Sequence, residues 1–309
     1  MSKLARLLLP HVVPGIVGAR RASYDRVFES LGQLEFITRD VQVGENSCTI
    51  KLQVLSEDPL NNLIAGEANR FFLASMISLE RARQAQEKNA AWQVIEHYYA
   101  AYFAIHYLIR ITGLSISNLD DSSIQSIGRC SYSNFPQDVP PKGLYLISYD
   151  PRTHVLELNK PGKKVGGSHV DAWRLWVKLL DKLIFASEKD IEEYASESLI
   201  LGVHKGFVLR STDKFSPPII RGEINYQFSG GVWEFERESA KNIRLIQKSM
   251  IDSFDNTLDY KSTSEAFVGH NKIIIELART IFTHSSNNYP NGICRSLRNK
   301  YSEYFSASI

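Results

Sequence analysis

Near its C-terminus the chain reads Glu276-Leu-Ala-Arg279-Thr280-Ile-Phe-Thr-His284, which sets an arginine and a histidine five positions apart. These two side chains suit cleavage of an RNA backbone without a metal. An imidazole titrates near neutral pH, so it can take the proton of a 2′-hydroxyl or give one to the leaving oxygen. A guanidinium holds a phosphate bidentately and stabilises charge that develops in the transition state. On an ideal helix five residues rotate the side chains by roughly 140°. The pair therefore converges only if the helix end is distorted, or if a second copy faces it across a dimer axis. The same spacing recurs in Arg6-Leu-Leu-Leu-Pro10-His11, where the proline and the terminal position argue against a site. A histidine in the last turn of a helix is also explained by its favourable interaction with the helix dipole.

Two further stretches could contact phosphates. Lys160-Pro-Gly-Lys163-Lys164-Val-Gly-Gly167-Ser168 places three lysines before an expected helix N-terminus, where backbone N–H groups and the dipole favour anions. A solvated connection has the same composition, and the stretch lacks the Lys-Ser/Thr step of a Walker A loop. Arg221-Gly-Glu-Ile-Asn-Tyr226, with Trp233 downstream, mixes a cation with aromatics that could stack on unpaired bases. A short strand with core aromatics is the plainer reading of those residues. No other catalytic or cofactor fingerprint is present, so no cofactor is expected. The three cysteines, Cys48, Cys130 and Cys294, are odd in number and far apart, which indicates neither a disulfide framework nor a metal site.

The elements that must position these residues follow from the pattern. The 309 residues are 43% apolar and 23% charged with a formal net charge of +2, which excludes wholesale disorder and an overall electrostatic pull toward nucleic acid. Residues 34–55 alternate around Gly44-Glu-Asn-Ser47 and predict a β-hairpin. Pro59-Leu-Asn-Asn62 then breaks the pattern. Residues 66–111 predict two helices separated near Lys88-Asn89, with Gly113 as the terminating residue. Residues 114–142 read as a loop with short helices at most. Segments 143–149 and 154–158 flank a Pro-containing turn and predict a second hairpin. A helix follows from Ser168, in capping-box style with Asp171, to about Ala186. A shorter helix at 190–198, a strand at 206–210 and an irregular stretch opened by Ser216-Pro-Pro218 come next. Helices are expected again at 236–254, 264–284 and 294–305. The N-terminal run has Lys3 and Arg6 before apolar residues, but Pro10, Pro14 and Arg20-Arg21 do not fit a secretory signal, and 98–111 is too short to span a bilayer. A cytoplasmic protein without membrane contact is the expectation.

The stretch Tyr98-Tyr99-Ala-Ala-Tyr102-Phe103-Ala104, ending in Arg110 and Gly113, resembles the signature helix of HEPN (higher eukaryotes and prokaryotes nucleotide-binding) domains. Many members of that family are ribonucleases with an R-x4–6-H motif on a later helix, and Arg279 and His284 occur in that order. The resemblance covers about residues 63–113 and 264–305. It implies a mainly α fold, a HEPN-like helical bundle with β-hairpin insertions. The chain then divides into 1–61, an N-terminal segment with a hairpin, and 62–309, a bundle with a large insertion at about 114–263. It further implies a metal-independent endoribonuclease, possible as a defence or toxin–antitoxin effector, with RNA as substrate, a homodimer as the working form and an antitoxin or defence-system protein as partner. Arg279 and His284 would be catalytic. Thr280 would support them, standing where the family often has Asn, Asp or His. Glu96 could orient the base if it faces the motif, although a carboxylate near a helix N-terminus needs no such role. Lys160, Lys163, Lys164 and Arg221 remain candidates for RNA or phosphate. The alternative is a catalytically inactive HEPN-like module that binds a protein or nucleotide, and a plain helical scaffold is the third reading. Tyr98, Tyr102, Ile105 and Ile109 form an ordinary core stripe, and on that view His97 and His106 are satisfied core histidines.

Overall fold

Apolar side chains at helical intervals along residues 57–111 produce the two long helices about which the other elements pack. The computed structural model describes residues 2–21, 31–45, 47–84, 89–131, 139–160, 167–211, 214–237, 239–252 and 259–306. The N-terminal elements are α1 (Lys3–Leu8) and α2 (Pro14–Val17), followed by strands β1 (Phe36–Val43) and β2 (Cys48–Val54). The two long helices are α3 (Glu57–Arg83) and α4 (Ala91–Ile111). Then come β3 (Leu114–Leu119), α5 (Asp121–Arg129), β4 (Gly143–Asp150) and β5 (Val155–Lys160). Helices α6 (Ser168–Lys189) and α7 (Ile191–Val208) precede the short strands β6 (Leu209–Ser211) and β7 (Lys214–Phe215). The chain ends with α8 (Ser216–Gln227), α9 (Ser239–Ile251), α10 (Thr263–Asn288), α11 (Ile293–Lys300) and α12 (Glu303–Ser306). The fold is mainly helical with a small antiparallel sheet. Among the described residues no helix is long and apolar enough to cross a membrane.

The two expected hairpins form, and they belong to one sheet in the order β1-β2-β5-β4-β3. Alternation explains the join. Ile50 and Leu52 point to the same face as Leu158 and Leu156, their cross-strand partners, and all four are buried. Residues 114–119, expected as loop, form the strand β3 because Gly113 turns the chain back beneath β4. Gly113 has φ +77°, and a Cβ there would lie 2.6 Å from the Tyr149 carbonyl oxygen, so glycine is required by both conformation and space.

Several boundaries differ from the sequence pattern for identifiable reasons. Pro59 does not break a helix; it lies in the first turn of α3, where its missing N–H is no loss, beside the acidic Glu57 and Asp58. Pro217 and Pro218 likewise sit at the start of α8, so the expected irregular stretch, and the strand suggested for Arg221-to-Tyr226, are helical. Helix α7 runs through Gly202 and Gly206 to Val208, longer than expected, and the strand after it is confined to Leu209–Ser211. The capping box expected at Ser168 is replaced by Gly167 as the N-cap residue, and Asp171 pairs with Arg174. Helix α10 does start on a side-chain cap: Ser262 Oγ accepts from the Glu265 N–H at 3.2 Å, and Glu265 accepts from the N–H of Lys261, the residue before the cap, at 2.7 Å.

Helix α4 is buried against α3, α6, α8 and α10. Its stripe Tyr98, Tyr102, Ile105 and Ile109 is core, as its spacing predicts. Arg110, on the same helix, is buried and donates from Nε to Glu67 of α3 at 3.0 Å; it lies over the Phe71 ring at 4.3 Å and reaches His106 Nδ1 at 2.9 Å. Residues 2–19 pack into this core too. Ala5, Leu8 and Ile16 are buried, and the Val13 N–H donates to the Ile111 carbonyl at 2.8 Å.

Removing Glu67 would leave the Arg110 guanidinium buried without its carboxylate, at a cost of about 3–5 kcal/mol. Chemical unfolding of Glu67→Ala is expected to show a loss of that size, and a loss below about 1 kcal/mol, the worth of an exposed pair, would contradict the assignment.

Candidate functional site

Helix α10 continues without interruption through Arg279 and His284, so no distorted end brings the two side chains together. They nonetheless line one cavity of about 920 Å³, because the cavity extends along the helix. Its walls come from α1, α3, α4, α7, α9, α10 and α11. Thr280, one of the supporting candidates, lines it as well. Five cationic side chains (Lys3, Arg83, Lys272, Arg279 and Arg298) face three carboxylates (Glu197, Asp252 and Glu276) across this space. The imbalance favours an anionic occupant.

Arg279 is largely buried, its side chain 15% exposed, and its Nη1 donates to Glu276 Oε1 at 2.9 Å, one helical turn earlier. His284 is half-buried, and the Asn288 amide nitrogen lies 2.8 Å from its Nε2. At the same end of the cavity Arg298 donates to Ser286 Oγ at 3.0 Å and to Asn287 Oδ1 at 2.7 Å, which fixes α11 against the last turn of α10.

The inner wall carries residues that the motif alone does not indicate. Burial depresses the Arg83 guanidinium, the neighbouring Arg279 adds to that, and Glu276 and Glu80 oppose it. Lys272 is lowered chiefly by burial and also by Arg83, while Asp252 and Glu276 favour its charge; its ammonium donates to the Asp252 carbonyl at 2.8 Å. His97 of α4 has no accessible surface, and among the described residues neither ring nitrogen has a hydrogen-bond partner. Burial, with Lys272 and Arg83 nearby, pushes its pKa down to about 3. His97 is therefore a core histidine in position but not a satisfied one. Sequence spacing could not reveal this group, since Arg83 and Lys272 reach it from different helices.

The other sequence candidates are not gathered here. Glu96 lies outside the cavity lining and pairs with Arg81 Nη2 at 2.8 Å, so it does not orient His284. Lys160 ends β5, with its ammonium bonded to the Lys142 carbonyl at 2.5 Å. Lys163 and Lys164 lie outside the described residues. Arg221 sits on α8, donates to the Tyr99 hydroxyl and stands 5.5 Å from the Tyr226 ring. Beyond it, Phe228, Trp233 and Phe235 form an aromatic group with centroids 5.5–5.6 Å from Trp233, and Phe228 and Phe235 are exposed. Among the described residues no group of three or more His, Cys, Asp or Glu side chains could hold a metal ion.

Helix α10 also carries the buried His270, whose Nδ1 lies 3.2 Å from that of His204 on α7, while Trp176 Nε1 donates to His204 Nε2 at 2.9 Å. Burial lowers His270 to about 4 and His204 well below its ordinary value. An unfolded chain takes up protons at these positions near 6.5, whereas folded His97, His204 and His270 resist them. Stability is thus complete above about pH 6.5 and declines as pH falls below it, because the unfolded chain binds protons that the folded rings refuse. Thermal melts are expected to shift clearly downward between about pH 7 and about pH 5; an unchanged midpoint would contradict neutral burial of these rings. No family model matches the chain, and no curated protein or solved structure matches it either.

Proposed function

We propose that this chain is a metal-independent endoribonuclease of HEPN type, acting as the RNA-cleaving effector of a defence or toxin–antitoxin system. The observation that carries the reading is that Arg279, Thr280 and His284 line a single cavity in which cationic groups outnumber carboxylates. Helix order supports it. The aromatic helix α4 packs on α3 and on the motif-bearing α10, and α11 packs on α10, so the segments that carry the resemblance lie together.

In this reading Arg279 holds the scissile phosphate. His284 takes the proton of the adjacent 2′-hydroxyl as that oxygen attacks phosphorus. The P–O5′ bond breaks, the protonated His284 imidazole returns its proton to the leaving 5′-oxygen, and the products are a 2′,3′-cyclic phosphate and a 5′-hydroxyl. The roughly 140° rotation between the two side chains on an unbroken helix favours a homodimer, in which a second copy sets its own motif against the first. The exposed rings of Phe228 and Phe235, beyond Arg221, offer faces on which unpaired bases can stack. An antitoxin or other defence-system protein would restrain the activity in the cell.

One observation favours a second reading, a catalytically silent module that binds a protein or nucleotide. Both motif side chains already have partners on their own helix, Arg279 with Glu276 and His284 with Asn288. The two readings separate on cellular RNA in the presence of a metal chelator. The nuclease reading expects the wild type to cleave and His284→Ala to lose at least about 100-fold of that rate. Equal cleavage by both proteins, or none by the wild type while RNA remains bound, rejects it.

A further inference from the structure

A neutral imidazole always carries one N–H donor and one acceptor nitrogen. Leaving both without partners in a closed site is costly, and buried polar groups are rarely left so. His97 is in this position on the cavity wall: it has no accessible surface, neither nitrogen is hydrogen-bonded among the described residues, and it lies among cations. Lys272 and Arg83 both act on it electrostatically, and Arg83 in turn feels Arg279 and Lys272. These like charges oppose one another; Glu276 relieves both Arg83 and Lys272, Glu80 also relieves Arg83, and Asp252 also relieves Lys272. One oxyanion placed among them would relieve the repulsion and accept the imidazole N–H together.

We propose that the inner end of the cavity is a phosphate subsite, in which His97 donates its ring N–H to a phosphoryl oxygen while Lys272 and Arg83 supply the balancing charge. Arg83 already has a partner in the protein, so its part is charge and not an unused hydrogen bond. His97 is closed to solvent here, so the proposal requires the Lys272 or Arg83 side chain lining the same cavity to move aside for the ligand. The shared chemistry is a phosphoryl oxyanion, which a free mononucleotide or the RNA backbone can provide. Beside Arg279 the subsite would hold a phosphate next to the scissile one, a placement that rests on the ribonuclease reading; anion binding at His97 does not.

Ring ¹⁵N resonances of His97 provide the test. Full-length protein is titrated with inorganic phosphate, a 5′-mononucleotide and a short 2′-O-methyl oligoribonucleotide that cannot be cleaved, with chloride as the ionic control. Saturable displacement of the His97 signals by any of the three phosphates, and not by chloride, is expected. A response to mononucleotide identifies a free nucleotide as sufficient, whereas a response to the oligonucleotide alone identifies the RNA backbone. By isothermal titration calorimetry, which needs no imidazole signal, Lys272→Met and His97→Phe are each expected to weaken phosphate binding about tenfold, the effect of losing one charge-assisted contact. His97→Gln, which keeps a donor, serves where the phenylalanine variant does not fold and is expected to retain binding. Absence of saturable displacement in the wild type, an equal response to chloride, or full affinity in Lys272→Met overturns the proposal. Phosphate binding without RNA cleavage would remove the ribonuclease reading and leave this subsite standing.

Discussion

An excess of positive charge in a partly closed cavity is the constraint around which the rest of the structure is arranged. Charges of one sign repel strongly where water is scarce, because the screening that weakens surface pairs is reduced there. Lys3, Arg83, Lys272, Arg279 and Arg298 are brought to one space by four different helices. Glu276 sits where it moderates three of them, bonding Arg279 and favouring the charged forms of Arg83 and Lys272. Such an arrangement is costly to maintain for stability alone, and an anion bound in the cavity would lessen the repulsion.

The surrounding fold supplies the rigidity that this arrangement needs. Helix α4 is held by the buried Arg110–Glu67 pair on one side and by the Tyr98–Trp173 contacts on another. Helix α10 is capped at Ser262, packed against α4 and α9, and tied at its end through Arg298 of α11. The N-terminal residues close the remaining wall, since Arg6 pairs with Glu193 while Ser2, Lys3 and Leu4 line the cavity. Burial of one face of α10 and exposure of the other to the cavity therefore come from the same packing.

Much of this was legible in the residues. The period of Tyr98, Tyr102, Ile105 and Ile109 marks a core stripe because burial selects apolar groups at helical spacing. Alternation at Ile50 and Leu52 marks a strand for the same reason. Pro59 and the Pro217-Pro218 pair were misleading, since a proline that starts a helix and one that breaks it look alike in sequence. Helix α7 likewise continues past the expected end at 198 and into the segment expected as strand, through Gly202 and Gly206 to Val208. The Arg279–His284 spacing was visible, but its surroundings were not. Whether His97 has a partner depends on side chains that α3 and α10 bring from distant parts of the chain, and no local pattern records that. Glu96 was a local candidate whose tertiary partner, Arg81, removes it from the site.

The chemistry proposed for Arg279 and His284 would use the ribose 2′-hydroxyl as its nucleophile, and its products would carry that signature. The most direct measurement compares an oligoribonucleotide that the protein cuts with the same strand bearing a single 2′-deoxyribose at the cut position, and reads the new ends by mass spectrometry. The account predicts a 2′,3′-cyclic phosphate and a 5′-hydroxyl from the ribose strand, and an intact bond in the deoxy strand. Cutting at the deoxy position, or a 5′-phosphate on the downstream fragment, would contradict it.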